Sequence, residues 1–384
     1  MKLRSIALLL VAELLAMSLW FVSAAILPDM LREASIPPIR QAALSSAVQA
    51  GFVVGALASA WLGLADRLDP RHLFAASALL AALANAVLLA VEPGGAIAIG
   101  ARFATGALLA GVYPVGMKIA VGWGQRNRGL LVGALVGALT LGSAAPHLPA
   151  LAGGANWRLT VAVASIAAAL AALIALRVGL GPHHARAPAF DPRAIAQAWT
   201  NRRVRLAYAG YLGHMWELYA MWTWVAVFAS ASFAVSGLAN AGTAGSIAAF
   251  LAIGSGAVGC VLAGFVADRA GKARVAMWAM IASAACAVLT IVVFGRAPWL
   301  LYALVMVWGF AVVADSAQFS ALVSEHAPRD HVGTALTIQT CLGFLLTIVT
   351  IEALPRVAGL AGWQWASLLL VPGPVLGASA MHRL

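Results

Sequence analysis

Charge is what this sequence has least of. Only 10% of its 384 residues are Asp, Glu, Lys or Arg while 63% are hydrophobic, whereas soluble domains carry about a quarter charged residues. With a mean hydropathy of +0.93, a soluble globular domain is excluded and a polytopic membrane protein is what remains. Acid is scarcer than base, 13 against 24 residues, for a formal charge of +11. Cysteine is nearly missing too. Cys260, Cys286 and Cys341 lie inside apolar runs with no CxxC or Cys/His spacing, which gives neither a disulfide framework nor a metal motif and leaves them as small packing residues. His214, Met17, Met215 and Met221 include soft ligands, but no second histidine stands at ligand spacing, so no metal is expected. No nucleophile beside a base and no phosphate-cradling loop is legible, so neither an enzyme nor a cofactor is expected.

What the chain does have is long apolar runs. Runs of about 20 such residues suffice to cross a membrane, and they fall at roughly 6–28, 43–64, 73–91, 96–118, 129–147 and 159–177, then 204–228, 243–263, 275–294, 299–321, 333–351 and 365–381. The pattern predicts an all-α membrane protein of twelve transmembrane helices, spans 1 to 12. Lys2 and Arg4 before the first run mimic a secretory signal, with Val22-Ser23-Ala24 as a cleavage site. The run reaches Leu27 and carries Glu13, so it is kept as span 1.

The basic residues then sort themselves by side. With the amino terminus inside, eighteen of the 24 Lys and Arg lie on inner loops and ends, and only Arg32, Arg40, Arg158, Arg296 and Arg356 lie outside, with Arg102 within a span. The positive-inside rule makes both termini cytoplasmic. It also accounts for the basic pI, so no nucleic-acid partner is needed. One long polar connection, 178–203, separates two six-span halves, 1–177 and 204–384. Within it, Asp191 to Arg203 is expected either as a short amphipathic helix on the inner surface with Trp199 at the lipid interface, or as a solvated linker drawn to anionic lipid.

The halves repeat each other. Glu13-Leu14-Leu15-Ala16-Met17-Ser18-Leu19-Trp20 in span 1 returns as Glu217-Leu218-Tyr219-Ala220-Met221-Trp222-Thr223-Trp224 in span 7, identical at five of eight positions. Leu64-Ala65-Asp66-Arg67 after span 2 returns as Val266-Ala267-Asp268-Arg269 after span 8, and Asn156-Trp157-Arg158 before span 6 is answered by Gly362-Trp363-Gln364 before span 12. Parallel six-span repeats describe one large class of secondary transporters, with the solute site between the halves near the midplane.

Gly264-Phe265-Val266-Ala267-Asp268-Arg269-Ala270-Gly271-Lys272-Ala273-Arg274 closely resembles the loop signature of the major facilitator superfamily. The first-half copy, Leu62 to Arg71, departs from it, because Leu62 and Asp69 stand where the signature has glycines. Arg102-Phe103-Ala104-Thr105-Gly106 resembles a second signature of that family, and Gly133 to Pro146 loosely resembles that of its antiporters. The resemblance implies twelve helices in two pseudo-symmetric six-helix halves, a small-molecule solute and a monomer in the plasma (inner) membrane of a bacterium. It assigns Asp66, Arg67, Arg71, Gly264, Asp268, Arg269, Gly271, Lys272 and Arg274 to cytoplasmic gate loops. It further implies that Asp66 lies against the start of span 11 near Gly333 and Asp268 against span 5 near Gly129, latching that side shut.

Charges well inside spans are Glu13, Arg102, Glu217 and Asp315, in spans 1, 4, 7 and 10, the helices that line the cavity in that family. An ionisable group at such depth marks a functional site by default. Tyr211, His214, Glu217, Met221 and Trp224 make one stripe at helical spacing. The expected cavity set is Glu13, Arg102, His214, Glu217, Asp315, Trp20, Tyr113, Tyr211, Trp224 and Gln339. Alternatives stay open: a Glu13–Arg102 packing bridge, a core histidine at 214, and aromatics that simply pack. Gln339, Gly343, Thr347 and Thr350 form a polar stripe on span 11, and Gly137, Thr140, Ala144 and His147 a small-residue stripe on span 5. Gly51, Gly55, Gly133 and Gly137 read as close helix packing.

Three acids against one arginine disfavour an anion unless protons accompany it. The expectation is a secondary active transporter working by alternating access and coupled to protons, with Glu217 the first choice for the coupling acid and Asp315 the second. The alternatives are a drug or organic-cation proton antiporter and a non-transporting sensor or assembly subunit on the same fold. Substrate, direction and symport against antiport are not legible.

Overall fold

The computed structural model describes residues 2–124, 128–152, 156–183, 200–328 and 331–384. Every element among them is helical. Eleven stretches are long and apolar enough to cross a membrane: Lys2–Glu33, Pro38–Leu62, Pro70–Leu89, Ala96–Val121, Gly129–Pro149, Trp157–Ala175, Arg202–Val235, Ala241–Ala270, Lys272–Val293, Pro298–His326 and Val332–Ala361. They are spans 1 to 11. The stretch expected as span 12 is also helical but interrupted, as Trp363–Ala366, a 3-10 turn Ser367–Leu370 and Pro372–His382. Pro372 and Pro374 supply no N–H to a continuing helix, which explains the break. This segment packs on spans 7 and 9, so the twelve-helix architecture stands.

Several spans outrun their apolar cores. Span 7 is 34 residues long, about 51 Å at 1.5 Å per residue against a hydrocarbon layer of about 30 Å, so its ends project beyond the lipid. Asn201 caps it by accepting from the N–H groups of Arg203 and Val204. The amphipathic helix expected over 191–203 falls mostly outside the described residues.

Spans 1, 4 and 10 are each broken near mid-depth. Span 1 consists of Lys2–Met17 and Val22–Glu33, span 4 of Ala96–Leu109 and Tyr113–Val121, and span 10 of Pro298–Ala314 and Ser316–His326. In span 4 the cause is local, since Pro114 lacks an N–H. Span 1 has no proline at its break. There the freed carbonyls of Leu19 and Trp20 are both taken by Arg102 Nη2, at 2.8 Å each, a cation at a helix carboxyl end.

Two seams join the halves, span 2 on span 11 and span 5 on span 8. Along the second, Cβ atoms built on Gly133 and Gly137 would sit 3.6 and 3.5 Å from the carbonyl oxygens of Cys260 and Ala257. Within the first half the approach of spans 2 and 4 is tighter. Side chains at Gly51, Gly55 and Gly106 would run into the backbone at Phe103, Ala107 and Val48 respectively, the small-residue packing expected where lipid supplies no hydrophobic drive.

The two signature loops differ as their sequences do. Span 8 runs helical through Asp268 to Ala270 and turns at Gly271 with φ of 90°. The first copy turns earlier, at Gly63 with φ of 61°, and Asp69 instead caps span 3 by accepting from the N–H of Arg71 at 2.9 Å. Asp69 therefore has a local role that a glycine there lacks.

Candidate functional site

All four in-span charges are buried, with Glu13 and Arg102 at 0% exposure. They do not pair with one another as simple arithmetic suggests. Arg102 Nη1 donates to Asn85 Oδ1 at 2.7 Å, its Nη2 is spent on the break in span 1, and Asn85 Nδ2 passes the chain on to Ser165 Oγ at 2.9 Å. The arginine thus ties spans 1, 3, 4 and 6 together. The Glu13–Arg102 bridge is not formed, because polar acceptors closer to the guanidinium take its place. Asn85 stood in the sequence as a lone amide in an alanine-rich run, with nothing to connect it to Arg102.

Among the described residues, Glu13 has no hydrogen-bond partner on either carboxylate oxygen. It faces the second part of span 4, where a Cβ on Gly116 would collide with its Oε2 and where Tyr113 lies within coulombic range. Its repeat partner is handled differently. Glu217 Oε1 accepts from Trp308 Nε1 of span 10 at 2.7 Å. One turn away, His214 Nδ1 sits 2.8 Å from Asp315 Oδ1 and its Nε2 2.8 Å from Ser316 Oγ. The first of these is a close polar contact off hydrogen-bond alignment, since neither atom finds an aligned partner. The break in span 10 thus presents Asp315 and Ser316 to one imidazole.

The aromatics divide. Trp20 Nε1 donates to Gln49 Oε1 at 3.1 Å, and its ring lies 4.9 Å from Phe52, 5.9 Å from Tyr219 and 5.4 Å from Phe344, bridging the halves. Phe21 joins from the same break, against Tyr219 and Trp222. Trp224, the repeat of Trp20, instead donates to Ile351 O at 2.9 Å and lies beside Trp363, wholly inside the second half. Tyr211 groups with His214 and Phe319. Gln339, Ser143, His147 and Trp222 also carry buried polar atoms without partners. These unanswered groups come from spans 5, 7 and 11 and join Glu13 of span 1.

At the face carrying the termini, Asp268 approaches Gly129, its Oδ1 4.0 Å from where a Cβ would stand. Asp66 pairs with Lys118 of span 4. Lys272 pairs with Glu325 of span 10 beside a polar recess of about 480 Å³ that Gly271, Asp268 and Arg274 also line. Arg67 and Arg269 are exposed and Gly264 lies within the span 8 helix. Arg71 folds back on Asp69 at 2.6 Å, and those bonds hold the Asp69 carboxyl down at about 2. At the opposite face Ser46 Oγ donates to Glu352 Oε1 at 2.7 Å, a link between spans 2 and 11 that the sequence did not announce.

Among solved structures, the chain resembles the nucleoside transporter NupG, determined as a point variant, with a TM-score of 0.73 at 16% identity over 99% of both chains. It equally resembles the human organic anion transporter MFSD10 (TETRAN), with a TM-score of 0.72 at 16% identity and 99% of both chains covered. Identity that low carries the fold and not the cargo. No curated protein matches the sequence. The family profile of the Major Facilitator Superfamily matches residues 9–351. The chain belongs to the major facilitator superfamily and is a multi-pass membrane transporter of a small-molecule solute, not an enzyme.

Proposed function

We propose that the chain is a proton-coupled secondary transporter in which units 1–177 and 204–384 rock about a midplane solute site, joined by the linker 178–203. The observation that carries the coupling is the unequal treatment of a duplicated glutamate. Glu217 has a donor in Trp308, whereas Glu13 is fully buried with none. A carboxylate in that position is expensive unless it is neutralised. A proton is the neutraliser that needs no further protein group. Glu13 is therefore put ahead of Glu217 and Asp315 as the exchanging acid, with the latter two held in the Trp308 and His214 contacts until span 10 moves.

A cation-for-proton exchange is the second reading. Arg102 is consumed by Asn85 and two carbonyls, which leaves Glu13, Glu217 and Asp315 without an arginine to balance them. Eighteen of 24 basic residues on one set of loops support a bacterial plasma-membrane orientation with both termini inside.

The test begins with a thermal-shift screen of small solutes at two pH values to find a transported compound. In proteoliposomes Glu13→Gln is then expected to abolish accumulation driven by a pH gradient while solute exchange at equal concentrations persists. Accumulation by that variant at the wild-type level would remove Glu13 from the role. No pH-driven accumulation by the wild type would end the proton-coupled reading altogether.

A further inference from the structure

Gln339 of span 11 is 2% exposed, and both Oε1 and Nε2 of its carboxamide are buried without a hydrogen-bond partner among the described residues. Such double orphans are rare in native proteins, because an unanswered buried donor or acceptor forfeits its hydration for nothing. Its surroundings are fixed by the helix contacts on either side. One turn earlier, Tyr208 Oη donates to the Ala335 carbonyl at 2.7 Å. One turn later, a Cβ on Gly343 would meet the Tyr211 ring and Met215. Span 11 therefore lays its 335, 339 and 343 face against span 7, with Gln339 between the turns that meet Tyr208 and Tyr211.

The Tyr211 ring in turn lies 6.1 Å from His214 and 6.1 Å from Phe319, and His214 lies 5.6 Å from Phe319. In this cluster His214 Nε2 is bonded to Ser316, and its Nδ1 stands 2.8 Å from Asp315 Oδ1 off alignment. Gln339 is the member whose donor and acceptor are both unanswered. An amide is uncharged and offers the two side by side. Its complement is a group with an acceptor and a donor likewise side by side, and the adjacent rings favour a flat one.

We propose that Gln339, one turn before the Gly343 on which the Tyr211 ring packs, is a recognition subsite for a flat neutral solute group that presents a donor and an acceptor side by side, as an amide or lactam does. This rests on reading the buried polar groups as the solute site. It requires no proton coupling.

The experiment is thermal stabilisation of the purified full-length protein by three ring probes of similar size: 2-pyridone (donor and acceptor), pyridine (acceptor only) and aniline (donor only). Stabilisation by 2-pyridone alone is expected, with its apparent affinity falling roughly ten- to hundredfold in Gln339→Leu as two hydrogen bonds are lost. Equal stabilisation by pyridine or aniline, an unchanged 2-pyridone response in Gln339→Leu, or no response to 2-pyridone in the wild type would each overturn the subsite. Should Gln339→Leu fail to fold, the wild-type ranking of the three probes decides by itself. Because the assay uses no gradient, a failure of proton coupling in liposomes would leave this result standing, and the two ideas fail separately.

Discussion

Glu13 and Glu217 occupy matching places in a duplicated segment, yet their neighbours give them different chemistry. Trp308 is the difference, because its indole donates to Glu217 at 2.7 Å and nothing donates to Glu13. Replacing Trp308 by Phe keeps an aromatic ring and removes the N–H. The expected cost is about 1 to 3 kcal/mol for a buried acceptor left unanswered, read as a lower unfolding temperature in detergent. In the background of Glu217→Gln the same change is expected to cost less, and full additivity of the two would contradict the bond. Arg102 teaches the reverse lesson. Sequence placed it among the cavity charges, and the structure adds three hydrogen bonds from its Nη atoms to Asn85, Leu19 and Trp20, while its Nε has no partner among the described residues.

At the level of elements, local chemistry sets where helices start and how closely they meet. Asp69 starts span 3 by capping, and its ion pair with Arg71 holds the carboxyl at about 2, below its ordinary 3.8. A group depressed on folding stabilises fully above its unfolded value and loses that contribution as pH falls through the folded one. Asp69→Ala is expected to cost about 0.5 to 2 kcal/mol at neutral pH. The gap to wild type should narrow below pH 4 and close only below about pH 2 in thermal melts, and a gap that stays constant as pH falls through that range would exclude the ion pair as its source. The crossing of spans 2 and 4 is set by Gly51, Gly55 and Gly106. Gly106→Val forces a side chain into the backbone at Val48, so a loss of about 1 to 3 kcal/mol or more is expected. A monodisperse, fully stable variant on size exclusion would show that the two helices can part freely.

Over the whole molecule, the conformation is read from which seams are shut. At the face opposite the termini, Ser46 bonds Glu352. Deeper along the same pair of spans the rings of Phe52 and Phe344 stand 4.6 Å apart with Trp20 and Tyr219 around them. The proposed rocking of the halves would part both layers. Glu352→Ala removes one link of the outer layer, worth roughly 0.5 to 1.5 kcal/mol, or about a two- to tenfold change in the balance of two states. Spin labels at the exposed Ile39 and Leu360 are expected to report a larger long-distance population by double electron–electron resonance. An unchanged distance distribution would mean that the hydrogen bond does not hold this side closed.

The apolar runs, the basic asymmetry and the duplicated segments were enough to fix a twelve-span membrane architecture, because in lipid only helices can satisfy their own backbone and apolar length alone marks them. Sequence also ranked the in-span charges as the residues to watch, since burying them carries a cost that chance does not keep. It did not decide their partners. That Arg102 bonds Asn85 and the break in span 1, that Trp308 answers Glu217 while Glu13 has no partner among the described residues, and that Gln339 is buried on the face of span 11 that meets span 7 all depend on contacts between residues up to 127 positions apart. Hydrogen bonds reach about 3 Å, and only the packing of helices brings such residues within that range.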